Sequence, residues 1–278
     1  MAMTHNNQKK IAVINDISGF GRCSITVAMP IISVMGLQCC PVPTSIFSNH
    51  TGYPHYFFDD YTAKMPEYIK NWKKLNLEFE GIYSGFLGSR EQIDIVWDFI
   101  RDFKTERTTV IVDPIMGDHG KAYTTYTEDM CREMKRLAEC ADILTPNLTE
   151  ACILTDTLYS DRHWTMKELT AMAEAIRKTG PEKIVITGIP QGDFVANLVY
   201  EAGEEPRILR SHRVGKERAG TGDVFSSIIA ADAVNGVPFA RSVKKAGSFI
   251  KKCILRSEEL EIPRQDGVCF EEYLMTLK

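Results

Sequence analysis

The feature that most restricts the fold of this chain is an alternation in its sequence. Short, apolar, β-branched runs take turns with amphipathic stretches of helical period. Lys10–Asn15 (KIAVIN) is the first apolar run, ended by the polar, glycine-bearing stretch Asp16–Arg22, and 24–35 then reads as a helix. A second run, Gln38–Val42, leads into a polar loop rich in Ser, Asn, His and Gly. The pattern continues with strands at 81–84, 109–112, 142–144 and 183–187, and helices at 90–103, 128–139 and 166–178. Strands separated by amphipathic helices make βαβ units, and such units give a mainly parallel sheet covered by helices on both faces. Residues 194–200 and 207–212 differ: they alternate in polarity and are joined by Ala-Gly-Glu-Glu-Pro, which predicts a hairpin at the sheet edge. Helices at 221–235 and 239–255 and a short one near Glu271 complete the expected α/β architecture.

At 278 residues the chain has room for one large α/β domain or two small ones. It carries no Pro/Gly/Ser-rich linker and no repeat at solenoid spacing, so one domain over 1–278 is expected, with residues 1–9 as a disordered tail. The net charge of −4 comes from interspersed acids and bases, without the Lys/Arg stripe of a nucleic-acid face. An anionic ligand must then be held by local groups. The longest mainly apolar stretch, Thr26–Leu37, contains Pro30 and Gly36 and is too short to span a bilayer. The polar N-terminus lacks the apolar core of a signal peptide, and the eight cysteines form neither CxxC nor a zinc-finger spacing. A cytoplasmic protein with buried thiols and no membrane partner is expected.

In parallel sheets ligands bind at the carboxyl ends of the strands. The polar residues there are Asn15-Asp16, Thr44 onward, Ser84-Gly85, Asp113, Thr145-Pro146-Asn147 and Thr187. The strongest local signal is Ala219-Gly220-Thr221-Gly222-Asp223, which leads into the apolar helix VFSSIIAADAV. Glycines let backbone N–H groups approach a ligand, and a helix N-terminus supplies unpaired donors and a favourable dipole. Such a cradle suits charge developing on a transferred phosphoryl group. The plainer account makes Asp223 a favourable charge for the helix dipole and the glycines a turn. Asp113, at the end of a strand and before Pro114, could orient a metal or simply solvate a loop. Asn147 and Glu150 lie three apart at a helix start: they fit a capping box, and they equally fit water-bound Mg²⁺ beside nucleotide phosphates. Phe47-Ser48-Asn49-His50-Thr51-Gly52-Tyr53 combines aromatic walls with polar groups, as a flat heteroaromatic ligand requires. His50 alone fits a hydrogen-bonded structural residue better than a catalyst.

Two nucleotide motifs are excluded. Gly19-Phe20-Gly21-Arg22-Cys23-Ser24 has Ser where GxGxxG needs its third glycine, and no Asp or Glu occurs from Ile17 to Phe58 to bind a ribose. A Walker A sequence is absent.

Together FSNHTGY, SGFLGS, VDPIMGD, TPNLTE, VIT and GTGD resemble, in order and spacing, the ribokinase-like superfamily and most closely its vitamin B6 (pyridoxal) kinases, over about residues 10–255. The resemblance implies a ribokinase-like fold and ATP-dependent phosphorylation of the 5-hydroxymethyl group of pyridoxal, pyridoxine or pyridoxamine. It implies a catalytic base at Asp223 with Gly220, Thr221 and Gly222 as the anion hole. It also implies Asp113, Asn147 and Glu150 near Mg²⁺ and the ATP phosphates, with Asp113 and Glu150 as the metal-side acids, and Thr187 near the nucleotide phosphates. Substrate contacts would come from Asp16, Phe47, Thr51 and Phe86, with Tyr123 in a covering segment. A homodimer is implied too, and a monovalent-cation requirement is left open. The chain departs from the family at Asp16, where Ser is common, and at Phe86, where Tyr is common. An acid at 16 could pair with a protonated pyridine nitrogen or favour another ring, so a hydroxymethylpyrimidine or another small alcohol is the alternative substrate. Related hydroxymethylpyrimidine kinases often carry Cys in place of the GTGD acid, so Asp223 leans toward the pyridoxal branch. A non-catalytic vitamer sensor would be expected to lose the base, the anion hole or the metal-side acids, all of which are present.

Overall fold

The computed structural model describes residues 7–123 and 126–278. In it the first apolar run does not stop at Asn15. Strand β1 spans Lys10–Phe20 because it pairs in parallel with an equally extended β2, Gln38–Asn49, across a register shift between Asn15 and Ile17. The Ser/Asn/His stretch expected as loop is therefore strand as far as Asn49; ladder pairing outweighs local polarity. Between β1 and β2 lies α1, Ser24–Val34.

Most other expected elements appear within a few residues of their predicted bounds. They are β4 (Gly81–Ser84), α3 (Arg90–Phe103), β5 (Thr109–Val112), α4 (Glu128–Ala138) and β8 (Ile143–Leu144). They continue as α5 (Leu148–Leu154), α6 (Met166–Arg177), β9 (Lys183–Gln191), β10 (Phe194–Glu201), β11 (Arg207–His212), α7 (Thr221–Val234) and α8 (Phe239–Glu259). The sequence reading missed β3 (Phe58–Asp60), α2 (Met65–Lys74) and a small hairpin of β6 (Gly117–Asp118) and β7 (Lys121–Ala122). Of the expected tail, residues 1–6 lie outside the described residues. Gln8 and Lys9 are tied to the body through Gly36 O and Val234 O.

The nine-stranded sheet has the order β11-β10-β9-β8-β5-β4-β1-β2-β3. Pairings from β2 across to β9 are parallel, while β10, β11 and β3 add antiparallel edges. The chain leaves β1 toward β2 on one side and returns to β4 on the other, so the order reverses between β1 and β4. That reversal opens a crevice at the carboxyl ends of these two strands.

Alternate strand residues sort onto two cores, as the period of two requires. Ala12, Ile14, Ile82, Val110, Val112 and Leu144 join the core beneath α2 to α6. Ile11, Val13, Tyr83, Ile111 and Ile143 join the core beneath α1, α7 and α8. Helix α7 is buried on nearly all sides, which accounts for its almost uniformly apolar sequence. On the first face Phe99, 1% exposed, stacks with Phe103 at 4.5 Å and with Phe79 at 6.2 Å. Truncating it leaves a cavity in a packed cluster. Phe99→Ala should lower unfolding free energy by about 3–5 kcal/mol, read as a lower urea midpoint at unchanged slope.

Candidate active site

The site grows from the N-terminus of α7. Gly220 caps the helix with φ 74°, a left-handed conformation, and a Cβ there would lie 1.7 Å from the carbonyl oxygen of Arg22. Only glycine fits both the dihedral and the space. The Thr221 and Gly222 amides lie in the first turn, where N–H groups have no intrahelical acceptor. The Gly222 Cα faces open space: a Cβ there would meet no atom within 4 Å. Asp223 follows in the same turn.

Asp223 is enclosed by protein yet keeps some solvent contact, as expected of an acid in a cleft. Burial pushes its carboxyl up to about 6, helped by the nearby negative charge of Asp16 and opposed by hydrogen bonds from the Ser24 amide and the Asn15 side chain. Asn15 Nδ2 donates to Asp223 Oδ1 at 3.2 Å. Asp16 sits at the register shift in β1 and is buried. Its two oxygens accept from Ser24 Oγ at 2.6 Å and Ser18 Oγ at 2.9 Å, and burial pushes its pKa up. Ser24 therefore serves both acids, by hydroxyl and by amide, from a left-handed φ of 58° at the start of α1.

A second acid group lies farther along the same edge of the sheet. Asp113, at the end of β5, accepts from Ser226 Oγ at 2.9 Å, and Ser226 lies 3.0 Å from Thr145 Oγ1. Burial, then repulsion from Asp223, pushes Asp113 up to about 7. Glu150 is pushed well up by burial and by Asp113. Its oxygens accept from the amides of Met116 at 3.2 Å and Asn147 at 2.8 Å, while Asn147 Oδ1 accepts from the Glu150 amide at 2.9 Å. The capping box is thus formed, and Asn147 Nδ2 also holds Gly117 O at 2.8 Å. Thr187 bridges to Asn147, its amide donating to Pro146 O at 2.8 Å. The β6–β7 hairpin rests on α5 through Gly120 N to Thr149 Oγ1, 2.9 Å, and is followed by Tyr123, a residue 43% exposed.

The opposite wall is aromatic. Phe47 is buried against Phe58 at 4.8 Å and meets Phe86 edge-on at 6.4 Å. Thr51 is exposed in the turn that follows β2. His50 lies 2.7 Å from the carbonyl oxygen of Gln265 and receives the Gly52 amide, so it is the hydrogen-bonded structural residue expected. One C-terminal segment serves both walls: Asp266 accepts from Tyr53 OH at 2.7 Å and, by its carbonyl, from Arg22, while Arg264 O receives the Ala219 amide.

The structure therefore gathers Asp16, Asp113, Glu150, Asn147, Thr187, Phe86 and Asp223 along one sheet edge, with Phe47 and Tyr123 flanking it and Thr51 at its rim. Asn15, Ser18, Ser24, Ser226 and the 264–267 segment also take part, although the sequence reading gave them no role. Asn15 had a signal, as the first polar residue after the apolar run of β1. The contacts of 264–267 with Arg22, His50 and Tyr53 had none, since they join residues more than 200 positions apart. Among the described residues no cluster of three or more His, Cys, Asp or Glu side chains could enclose a metal by itself. No described helix is long and apolar enough to cross a membrane.

The sequence pattern of the family described as phosphomethylpyrimidine kinase matches residues 32–268. The chain belongs to this family. It superimposes with a TM-score of 0.96 on the crystal structure of a provisionally named phosphomethylpyrimidine kinase from Bacteroides thetaiotaomicron VPI-5482, at 38% identity over 99% of this chain and 96% of that one. A second crystal form described with pyridoxal gives 0.93 at 37% identity, covering 98% and 96%. The pyridoxine/pyridoxal/pyridoxamine kinase of Bordetella avium is 27% identical, over 89% of this chain and 86% of that protein. The chloroplastic thiamine biosynthetic bifunctional enzyme of Arabidopsis thaliana is 27% identical over 91% of this chain, which spans about half of that enzyme (47%). The fold is thus the ribokinase-like one implied by the sequence.

The raised acids have a consequence for stability. A carboxyl whose folded pKa exceeds its unfolded value contributes stability at low pH that is lost as pH rises through the folded pKa. For Asp223 that window runs from 3.8 to about 6. An amide resembles the protonated form at every pH. Asp223→Asn should therefore raise the ligand-free melting temperature more at pH 8 than at pH 4.5, measured by calorimetry.

Proposed function

We propose that this protein transfers the γ-phosphoryl group of ATP to the 5-hydroxymethyl oxygen of pyridoxal, pyridoxine or pyridoxamine. The observation that carries the reading is Asp223: a carboxylate in the first turn of α7, with its pKa pushed up to about 6 and bordered by the unpaired amides of that turn. A base titrating near neutral pH is suited to accept an alcohol's proton. In this reading the hydroxymethyl oxygen attacks the γ-phosphorus, the bond from phosphorus to the β-bridging oxygen breaks, and the alcohol proton passes to Asp223. ADP leaves, and the proton is later released to water. The Gly220, Thr221 and Gly222 amides and the α7 dipole favour the charge on the transferred group.

Phe47 and Phe86 supply apolar walls for a flat ring, Asp16 a charge for its nitrogen, Thr51 a polar group at the rim, and Tyr123 a cover. Asn147 and Thr187 border the phosphates. The second acid group fits a divalent cation: Asp113 and Glu150 repel one another, and a cation between nucleotide and protein relieves that repulsion. Mg²⁺ binds through one or two carboxylates plus substrate phosphates and waters rather than in an all-protein cage. Asp113 and Glu150 would hold it, Glu150 through waters since both its oxygens already accept amides, and the ion would neutralise phosphate charge. Support for the vitamer comes from the 37% identical structure described with pyridoxal.

A second reading keeps the chemistry and changes the ring to hydroxymethylpyrimidine. Its support is the matched family's description and Asp16, whose acceptor-only carboxylate suits a ring that brings a donor. ADP release measured across pyridoxal, pyridoxine, pyridoxamine and hydroxymethylpyrimidine separates the two. The vitamers should give the higher kcat/KM, and a tenfold preference for the pyrimidine would replace the first reading by the second.

The base is tested separately. Asp223→Asn should fold and bind nucleotide but turn over at least roughly a hundredfold more slowly, the lower end of the usual range for a positioned base. Near-normal turnover removes Asp223 from its role.

A further inference from the structure

The last polar residue before the register shift in β1 is not among the residues assigned to the reaction above, yet it touches three parts of the crevice. Asn15 is fully buried. Its Oδ1 accepts the Asp16 amide at 2.9 Å and the Phe86 amide at 2.9 Å. With two backbone donors on the oxygen, the orientation of the side-chain amide is fixed by its partners, and only Nδ2 can face Asp223, which it does at 3.2 Å. The neighbouring strand end makes room for this arrangement: a Cβ on Gly85 would lie 2.4 Å from Asn15 Nδ2. Ile11, Val13 and Asn15 share one face of β1, the face under α1 and α7, so strand geometry itself aims the side chain at the α7 terminus.

From this geometry we infer that Asn15 is a positioning residue: it aims the Asp223 carboxylate at the substrate hydroxyl and links that aim to the Phe86 wall. The inference rests on the reading of Asp223 as the base. A carboxylate has about four acceptor directions. Asn15 occupies one on Oδ1, and the amides of Ser24 and of Asp223 itself supply further hydrogen bonds to the carboxylate. These donors fix the rotation of the group and leave the remaining directions to the cleft. They also favour its ionised form. Of the other ionisable groups nearby, Asp16 acts in the opposite sense; Asp113, Cys23, Tyr83 and Tyr123 feel the charge of Asp223, and burial keeps the thiol and the two phenols neutral where Asp223 titrates. Because the same side chain holds the Phe86 amide, displacement of the aromatic wall by a poorly fitting ring would pull on the group that orients the base.

Two variants test this. Asn15→Asp keeps both acceptor contacts and replaces the donor by a negative charge; Asn15→Ser is too short to reach Asp223. Both should fold, and both should move the acidic limb of the kcat/KM profile to higher pH, by about one unit or more for Asn15→Asp, where a like charge faces the base. At pH 7 kcat should fall roughly tenfold or more, while the KM for ATP stays within about twofold, a split expected when an interaction acts mainly in the transition state. A purely structural residue would lower the melting temperature and leave the acidic limb in place, so an unmoved limb in the folded variants overturns the inference. Failure of both to fold also overturns it, by making Asn15 a structural residue only. Loss of turnover in Asp223→Asn with an unmoved limb in the Asn15 variants would leave the base intact and remove its positioning residue. Normal turnover in Asp223→Asn would remove the base itself.

Discussion

Carboxylates buried beside one another repel and lose hydration, and an apolar fold does not hold them there without an offset. In this protein Asp16, Asp223, Asp113 and Glu150 line one edge of the sheet, and all four are pushed toward the protonated form. The offset comes from oriented donors. Ser18 and Ser24 hydroxyls serve Asp16, Asn15 and the Ser24 amide serve Asp223, Ser226 serves Asp113, and the amides of Met116 and Asn147 serve Glu150. Each donor is fixed by backbone: a strand end, the first turn of α1, the interior of α7, or the capping box of α5. The sheet and its helices therefore do more than cover a core. They hold a row of acids against their mutual repulsion, at the cost of stability lost as pH rises from about 4 to about 7 through the values of Asp223 and Asp113.

The sheet order explains why the row lies where it does. Between β1 and β4 the chain has departed in opposite directions, so no connecting segment crosses the carboxyl ends of that pair. Asn15 from β1 and the Phe86 amide after β4 meet across this gap, and α7 presents its N-terminus above it. The close approach of Gly220 to the Arg22 carbonyl brings the first turn of α7 down onto the loop before α1. The 264–267 segment then joins Arg22, Tyr53 and Ala219, so the aromatic loop and the loop before α7 share one fastening.

The sequence made the periodic part of this legible. Buried parallel strands read as apolar runs, and α3 and β11 keep their predicted bounds. It also exposed GTGD, since glycine beside an acid at a helix start has few uses. It was misleading where backbone pairing overrides side-chain character: β1 and β2 run on through polar residues because each completes the other's ladder. The two-residue strands β6 and β7 are below the length at which alternation can be read. For NxxE the sequence permitted a cap or a cation site, and the structure shows that one does not exclude the other. The capping box uses one acceptor direction on Glu150 Oε2 and the Met116 amide one on Oε1, which leaves lone pairs for water.

In the proposed reaction, discrimination between rings falls to the part of the site least determined by these periodic elements. Asp16 cannot turn freely, because both its oxygens are held by hydroxyls of its own strand and of α1. A ring that offers a donor meets an acceptor already aimed. A ring that offers only an acceptor must find Asp16 protonated, which burial favours but the two hydroxyl donors oppose. The same acid raises the proton affinity of Asp223. In the proposed reaction, neutralising Asp16 by a protonated ring nitrogen would therefore lower the pKa of the base as the substrate arrives. Ring identity and base strength are then coupled electrostatically, through Asp16, and sterically, through the Phe86 amide on Asn15. A chain with serine at position 16 would lack the first of these couplings and keep the second.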